Sequence, residues 1–190
     1  MNLLPAFEAA NVNAVTERIW IGGDLAVHHD DLAFEQAEEL VAKGLTHVVD
    51  VRSELDDTHR WARYLFIDYR TFDMPDESQQ VPSEWFDRAV GHLQDALQHS
   101  DTIVLTHCHS GVNRGPSLGF ALLLAEGWEP VDALAAIRTA RPSAYVYYAE
   151  QALAWYHRRF GTSARERLDE ADALAAWRLA HPLGESHLMA

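Results

Sequence analysis

The sequence predicts an α/β fold in which a central, mainly parallel sheet is flanked by helices. Three observations carry that expectation. Short apolar runs of strand length, such as Ile19-Trp20-Ile21, Leu45 to Val51 and Ile103 to Leu105, alternate with longer stretches of helical spacing, the order that parallel strands and crossover helices produce. Residues 103–125 pass from an apolar run through a polar loop straight into the breaker-free segment Leu118 to Ala125, a strand–loop–helix unit. The chain has 190 residues, 48% hydrophobic and 23% charged, which is a globular composition of one-domain size, able to bury about 70% of its unfolded surface.

Taken in order, residues 1–15 read as an irregular arm laid on the core by Leu3, Leu4, Phe7 and Val12. Ile19 to Ile21 is a strand stopped by Gly22-Gly23. Asp30-Asp31 are expected to cap a helix over 32–43, whose Leu32, Phe34, Ala37, Leu40 and Val41 hold near-helical spacing up to Gly44. Leu45 to Val51 reads as a buried strand, 52–63 as loop with a helical turn, and Tyr64 to Asp68 as another strand. Residues 70–82, rich in Asp, Pro, Ser and Gln, form an exposed loop. The helix expected over 83–98 puts Phe86, Ala89, Val90, Leu93 and Leu97 on one face. Helices are expected again over 131–139, 145–160 (Ala152, Trp155 and Tyr156 inward) and 163–180 (Leu168, Ala171, Leu174 and Ala175 on one side). The domain division is a catalytic unit over 1–160 and a helical extension of the same domain over 161–190, folded back on it, in a monomer or weak homodimer.

Charge and cysteine use narrow the function. A net charge of −14 disfavours nucleic acid and anionic membranes, which both demand basic patches, and no run approaches the ~18 apolar residues of a spanning helix. The start, Met-Asn-Leu-Leu-Pro, lacks the basic region and apolar core of a signal peptide. The one cysteine, Cys108, allows no intramolecular disulfide. A cytoplasmic protein is the expectation.

The chemistry concentrates at His107-Cys-His-Ser-Gly-Val-Asn-Arg114. Cys108 falls at the lip of a strand and Arg114 at the start of a helix, where unsatisfied amides and the helix dipole favour anions. His109, Ser110, Gly111, Val112, Asn113 and Arg114 then form a phosphate-binding loop. Gly111 lets backbone approach the guest, Arg114 offers a planar bidentate donor, and the same donors favour a thiolate at Cys108.

The string His-Cys-x-x-Gly-x-x-Arg resembles the signature of the protein tyrosine phosphatase superfamily, with the compact dual-specificity branch nearest in length. Glu17-Arg-Ile-Trp-Ile-Gly-Gly and Thr46-His-Val-Val-Asp-Val resemble that family's first strands, and the likeness covers about 15–160. It implies a phosphocysteine intermediate formed by Cys108, oxyanion binding by Arg114, no metal and no other cofactor. It also implies an upstream aspartate as general acid: Asp76, in the loop before Ser83-Glu-Trp-Phe, with Asp73 in reserve. His107 is a supporting residue that tunes the thiolate, and His109 rims the pocket without a required role. Where the family usually has Ser or Thr after the arginine, this chain has Gly115, and Ser117 is two residues further on. The departure bears on hydrolysis of the phosphoenzyme more than on its formation.

Competing readings of the residues are plainer. His28-His29-Asp30-Asp31 is a capping segment rather than a metal cluster, Arg138 and Arg141 are surface or structural, and Tyr145, Tyr147 and Tyr148 are packing aromatics. The expected function is a protein-tyrosine or dual-specificity phosphatase acting on phosphorylated proteins or small phosphomonoesters. The loop from Cys108 to Arg114 lacks the lysines of inositol-lipid phosphatases. A catalytically weak phosphate-binding module and a rhodanese-like sulfurtransferase are the alternatives.

Overall fold

The computed structural model describes residues 4–183; Leu3 and the last seven residues of the extension lie outside the described residues. The elements run β1 (Val12–Ala14), β2 (Ile19–Gly22), α1 (Asp30–Ala42), β3 (His47–Asp50), α2 (Thr58–Trp61), β4 (Asp68–Thr71), α3 (Ser83–Leu97), β5 (Val104–His107), α4 (Arg114–Ala125), α5 (Pro130–Ala140), α6 (Ala149–Phe160) and α7 (Ala164–Ala180). The sheet order is β1-β2-β5-β3-β4. The last four strands in that row are parallel, and β1 closes the edge antiparallel to β2.

The parallel strands β2, β5 and β3 are buried on both faces, as parallel sheets are. One core, formed by Ile21, Val49, Phe86, Val90, Leu118, Leu122 and Leu153, joins the sheet to α3–α6. A second, formed by Trp20, Val48, Leu105, Ala37 and Leu40, lies under α1. Helix α4 is buried from Arg114 to Leu124, so it can read as a continuous apolar run, and it carries the signature arginine into the middle of the protein.

Several expectations are corrected. The strand expected over Tyr64 to Asp68 begins only at Asp68. Residues 64–67 turn back through bonds from Tyr64 N to Trp61 O and Ile67 N to Tyr64 O, which leaves Leu65 95% exposed. Register with β3, His47 opposite Asp68, decides the strand rather than the apolar run. The arm contains a strand, β1, paired with β2; Val12 is buried in it, whereas Leu4 is exposed. Asp30 and Asp31 lie inside the first turn of α1, with His29 at the cap position and no side-chain cap bond. Asp30 instead accepts from Arg60 at 3.0 Å. The helix expected from 145 starts at Ala149, because Val146 takes a φ of 58°. On α7 only Leu174 is buried, and Leu168 is 66% exposed.

Candidate active site

Four strands deliver the site at their carboxyl ends, the edge where open α/β sheets bind ligands. β2 runs into Gly23-Asp24, β3 into Val51–Glu54, β4 into the loop carrying Asp76, and β5 into Cys108. Cross-strand bonds set their mutual height: Cys108 N donates to Gly22 O, Val51 N to His107 O and Asp24 N to His109 O. Cys108 is buried and in no disulfide. The loop from Cys108 closes on the first turn of α4, with Ser117 N donating to Asn113 O.

The loop is shaped from behind. Loop amides can converge on a guest only if the carbonyls turn outward and find donors elsewhere. Arg141, buried where α5 ends against Pro142, gives Nε to Gly111 O at 2.7 Å and Nη2 to Ser110 O at 2.8 Å. It also donates to the Asn11 and Asn13 side chains. Gly111 has a φ of +66°, and a Cβ there would lie 2.6 Å from Arg141 Nη2 and 2.6 Å from Gly22 C, so only glycine fits the turn.

Arg114 is buried, and its guanidinium is held in place by Glu54. Nη1 donates to Oε2 at 2.8 Å and Nη2 to Oε1 at 2.6 Å, with Nη1 also reaching Met74 O. Nε has no hydrogen-bond partner among the described residues and faces Asp76 Oδ2 at 3.5 Å. Burial opposes the charge on Arg114, yet the bonds it donates to Glu54 and the neighbouring Cys108 and Asp76 raise its pKa above the usual arginine value. Arg114 in turn holds Glu54 down to about 2. Asp76 also lies 3.3 Å from the hydroxyl of the buried Tyr148. Burial and that carboxylate raise the Tyr148 pKa, so it stays a protonated donor.

Below the loop is a buried ionic network. Arg52 bonds to Asp50 at 2.6 Å, Asp57 at 2.7 Å and Asp24 at 2.8 Å, and Asp24 Oδ2 accepts from His109 Nδ1 at 2.6 Å. Burial lowers the His107 pKa despite Asp50 nearby, so the imidazole is neutral. Asp50, Asp57 and His107 converge closely enough to suggest a metal, but the Arg52 guanidinium already occupies the carboxylates and supplies the positive charge an ion would.

Comparison with protein-family models gives no match. Solved structures do match. PTPMT1 in complex with PI(5)P superposes with a TM-score of 0.65 at 13% identity, over 80% of this chain and 97% of that one. A mouse putative dual specificity phosphatase complexed with zinc tungstate gives 0.64 at 19% identity, over 82% and 94%. A human tyrosine phosphatase-like serine/threonine/tyrosine-interacting protein gives 0.59 at 15%, over 78% and 97%. The chain has the fold of the tyrosine and dual-specificity phosphatases.

Within that phosphatase fold, Cys108, Arg114 and Asp76 come together, and the loop residues His109 to Asn113 join them. Asp73 does not. Its side chain is exposed, and only its backbone is engaged, accepting from Trp85 Nε1. A Cβ on Gly115 would lie 2.9 Å from His107 Cα and 3.0 Å from Cys108 N, so there is no space for a hydroxyl-bearing side chain. Ser117, two residues on, is fully buried, and its Oγ accepts from Tyr148 N at 3.1 Å. His109 is 61% exposed at the rim. Tyr145 and Tyr147 are exposed, while Tyr148 is buried.

Sequence reasoning missed Glu54, Tyr148 and the loop-shaping role of Arg141. Glu54 carried a usable signal: it follows a buried strand within four residues, where parallel sheets place their ligand-binding loops. Arg141 and Tyr148 had no such mark, because their partners lie about 30 and 70 residues away in sequence.

Proposed function

We propose that this protein is a cysteine-dependent phosphomonoester phosphatase. The observation that carries the reading is the Nε of Arg114, which has no hydrogen-bond partner among the described residues, on a guanidinium already aligned by Glu54 at the mouth of a loop that begins with the buried Cys108. Arg114 and the loop amides bind the three equatorial oxygens and spread their charge. Cys108 Sγ forms a bond to phosphorus as the bond from phosphorus to the ester oxygen breaks. Asp76 passes its proton to that leaving oxygen, then takes one from the water that attacks phosphorus and releases the thiolate.

The substrate we infer is a phosphotyrosine or phosphoserine/threonine side chain in a neutral or basic segment. PTPMT1 was solved with PI(5)P, but no lysine lies between Cys108 and Arg114, and the carboxylates of Glu54 and Asp76 both face Arg114. Such carboxylates repel acidic ligands. A second reading, a phosphate-binding module with weak turnover, is favoured by Gly115, where no hydroxyl can assist the thiolate as it leaves.

Stopped-flow hydrolysis of an aryl phosphate separates the two. Steady turnover that vanishes in Cys108→Ser and falls about 100-fold in Asp76→Asn supports the enzyme. A stoichiometric burst that then stalls supports the binding module. Wild-type chain with neither burst nor turnover overturns both.

A further inference from the structure

We propose that Arg178, on the helix beyond the catalytic core, is a positioning residue for the phosphate loop and acts through the Tyr145–Val146 backbone; the assignment rests on the phosphatase reading above.

Of the three consecutive loop carbonyls, Ser110 and Gly111 are held by Arg141. The third, Val112 O, accepts from two successive amides, Tyr145 N at 2.9 Å and Val146 N at 3.0 Å. To aim both amides at one oxygen the chain turns sharply, and Val146 adopts a φ of 58°. A β-branched residue seldom occupies that left-handed region, and surrounding contacts must hold it there. The valine is fully buried, so its side chain cannot swing to relieve the turn.

Arg178 supplies the holding contact. Its Nη1 donates to Tyr145 O at 2.9 Å and its Nη2 to Val146 O at 2.6 Å. Its Nε lies 2.8 Å from Glu150 Oε1, and the guanidinium sits 5.4 Å from the Tyr145 ring centre. A rigid fork of donors suits two adjacent carbonyls better than a single ammonium does. The helix is itself secured, by buried Leu174 and by a capping box between Ser163 and Glu166. Two tiers of hydrogen bonds thus run from α7 to the loop: Arg178 to the 145–146 carbonyls, and the 145–146 amides to Val112.

Without Arg178 the valine relaxes toward negative φ, its amide leaves Val112 O, and the loop amides lose their alignment on phosphate. Glycine adopts positive φ at no steric cost, so it removes the need for the clamp.

The test measures protection of Cys108 from iodoacetamide by inorganic phosphate, in the full chain, with thermal melting and aryl phosphate kinetics alongside. Arg178→Ala is expected to weaken phosphate binding about tenfold, equal to about 1.4 kcal/mol. Adding Val146→Gly to that variant is expected to recover most of the loss, compared with Val146→Gly alone. Arg178→Lys, which retains one donor arm, gives an intermediate value and stands in for the alanine variant should that one fail to fold. A lowered melting temperature with phosphate affinity unchanged within twofold overturns the assignment, as does a loss that glycine at 146 leaves in place. Wild-type Cys108 that phosphate does not protect overturns the phosphatase reading instead.

Discussion

Glu54 is the residue on which the readiness of Arg114 depends. Replacing its carboxylate by an amide in Glu54→Gln removes one charge-assisted partner from the guanidinium, and kcat/KM for an aryl phosphate should fall about tenfold, about 1.4 kcal/mol. The same pair has a pH signature. Its folded pKa is about 2, below the ordinary 4.5, so the unfolded chain takes up the proton first. The stability from the pair is therefore complete above about pH 4.5 and is lost as pH falls toward 2. Glu54 is 44% exposed, so screening keeps the effect below about 1 kcal/mol. Melting temperatures of wild type and Glu54→Gln should differ by a constant amount from pH 8 to 5 and converge below pH 4.5. Gly115 makes the opposite kind of prediction. Gly115→Ser introduces a hydroxyl beside Arg114 but presses a Cβ to 2.9 Å from the β5 backbone. Overpacking there should destabilise the chain by about 1–3 kcal/mol in chemical denaturation, with no gain in turnover.

At the scale of elements, the loop carrying Asp76 is strapped to α6. Gln151 accepts from Val81 N at 2.7 Å and donates to Gln79 O at 3.1 Å, while Tyr148 lies beneath Gln79 and Asp76. Gln151→Ala should loosen the loop and lower kcat several-fold while leaving phosphate affinity intact, because Arg114 and Glu54 stand on other elements. Initial rates together with phosphate inhibition constants would separate the two effects. The helix expected over 83–98 is α3, whose Phe86, Ala89, Val90, Leu93 and Leu97 are all buried. Strong amphipathic spacing leaves a helix of that length no other way to bury its apolar face. The helix expected over 163–180 forms as α7, but of Leu168, Ala171, Leu174 and Ala175 Leu174 alone is buried, since alanine-rich spacing presents several faces of nearly equal hydropathy.

At the scale of the molecule, the loops of β2 and β3 are tied beneath the site by Arg52, Arg60 and their aspartates. Asp57 accepts from Arg52 at 2.7 Å and from Arg60 at 2.5 Å with 1% side-chain exposure. Removing one member of a buried charge network strands the others, so Asp57→Ala should cost about 3–5 kcal/mol in urea unfolding. That loss exceeds what any rim residue would show.

The sequence by itself determined the α/β class, the helices with strong periodicity, the strand–loop–helix unit and the local constellation Cys108 to Arg114. Each rests on residues within about ten positions of one another, so local geometry suffices. Tertiary structure places Asp76, the aspartate favoured from the sequence, against Arg114, and it alone decided that Glu54 holds Arg114 and that Arg141 holds the loop carbonyls. It also decided that β4 starts at Asp68, because strand register is a pairing between chains of atoms far apart in sequence. The left-handed Val146 belongs to the same class: nothing in its neighbours asks for it, and only the need to bring two amides to Val112 O explains it. Long-range hydrogen bonds and ion pairs select among locally equivalent residues, and a one-dimensional reading carries no term for them.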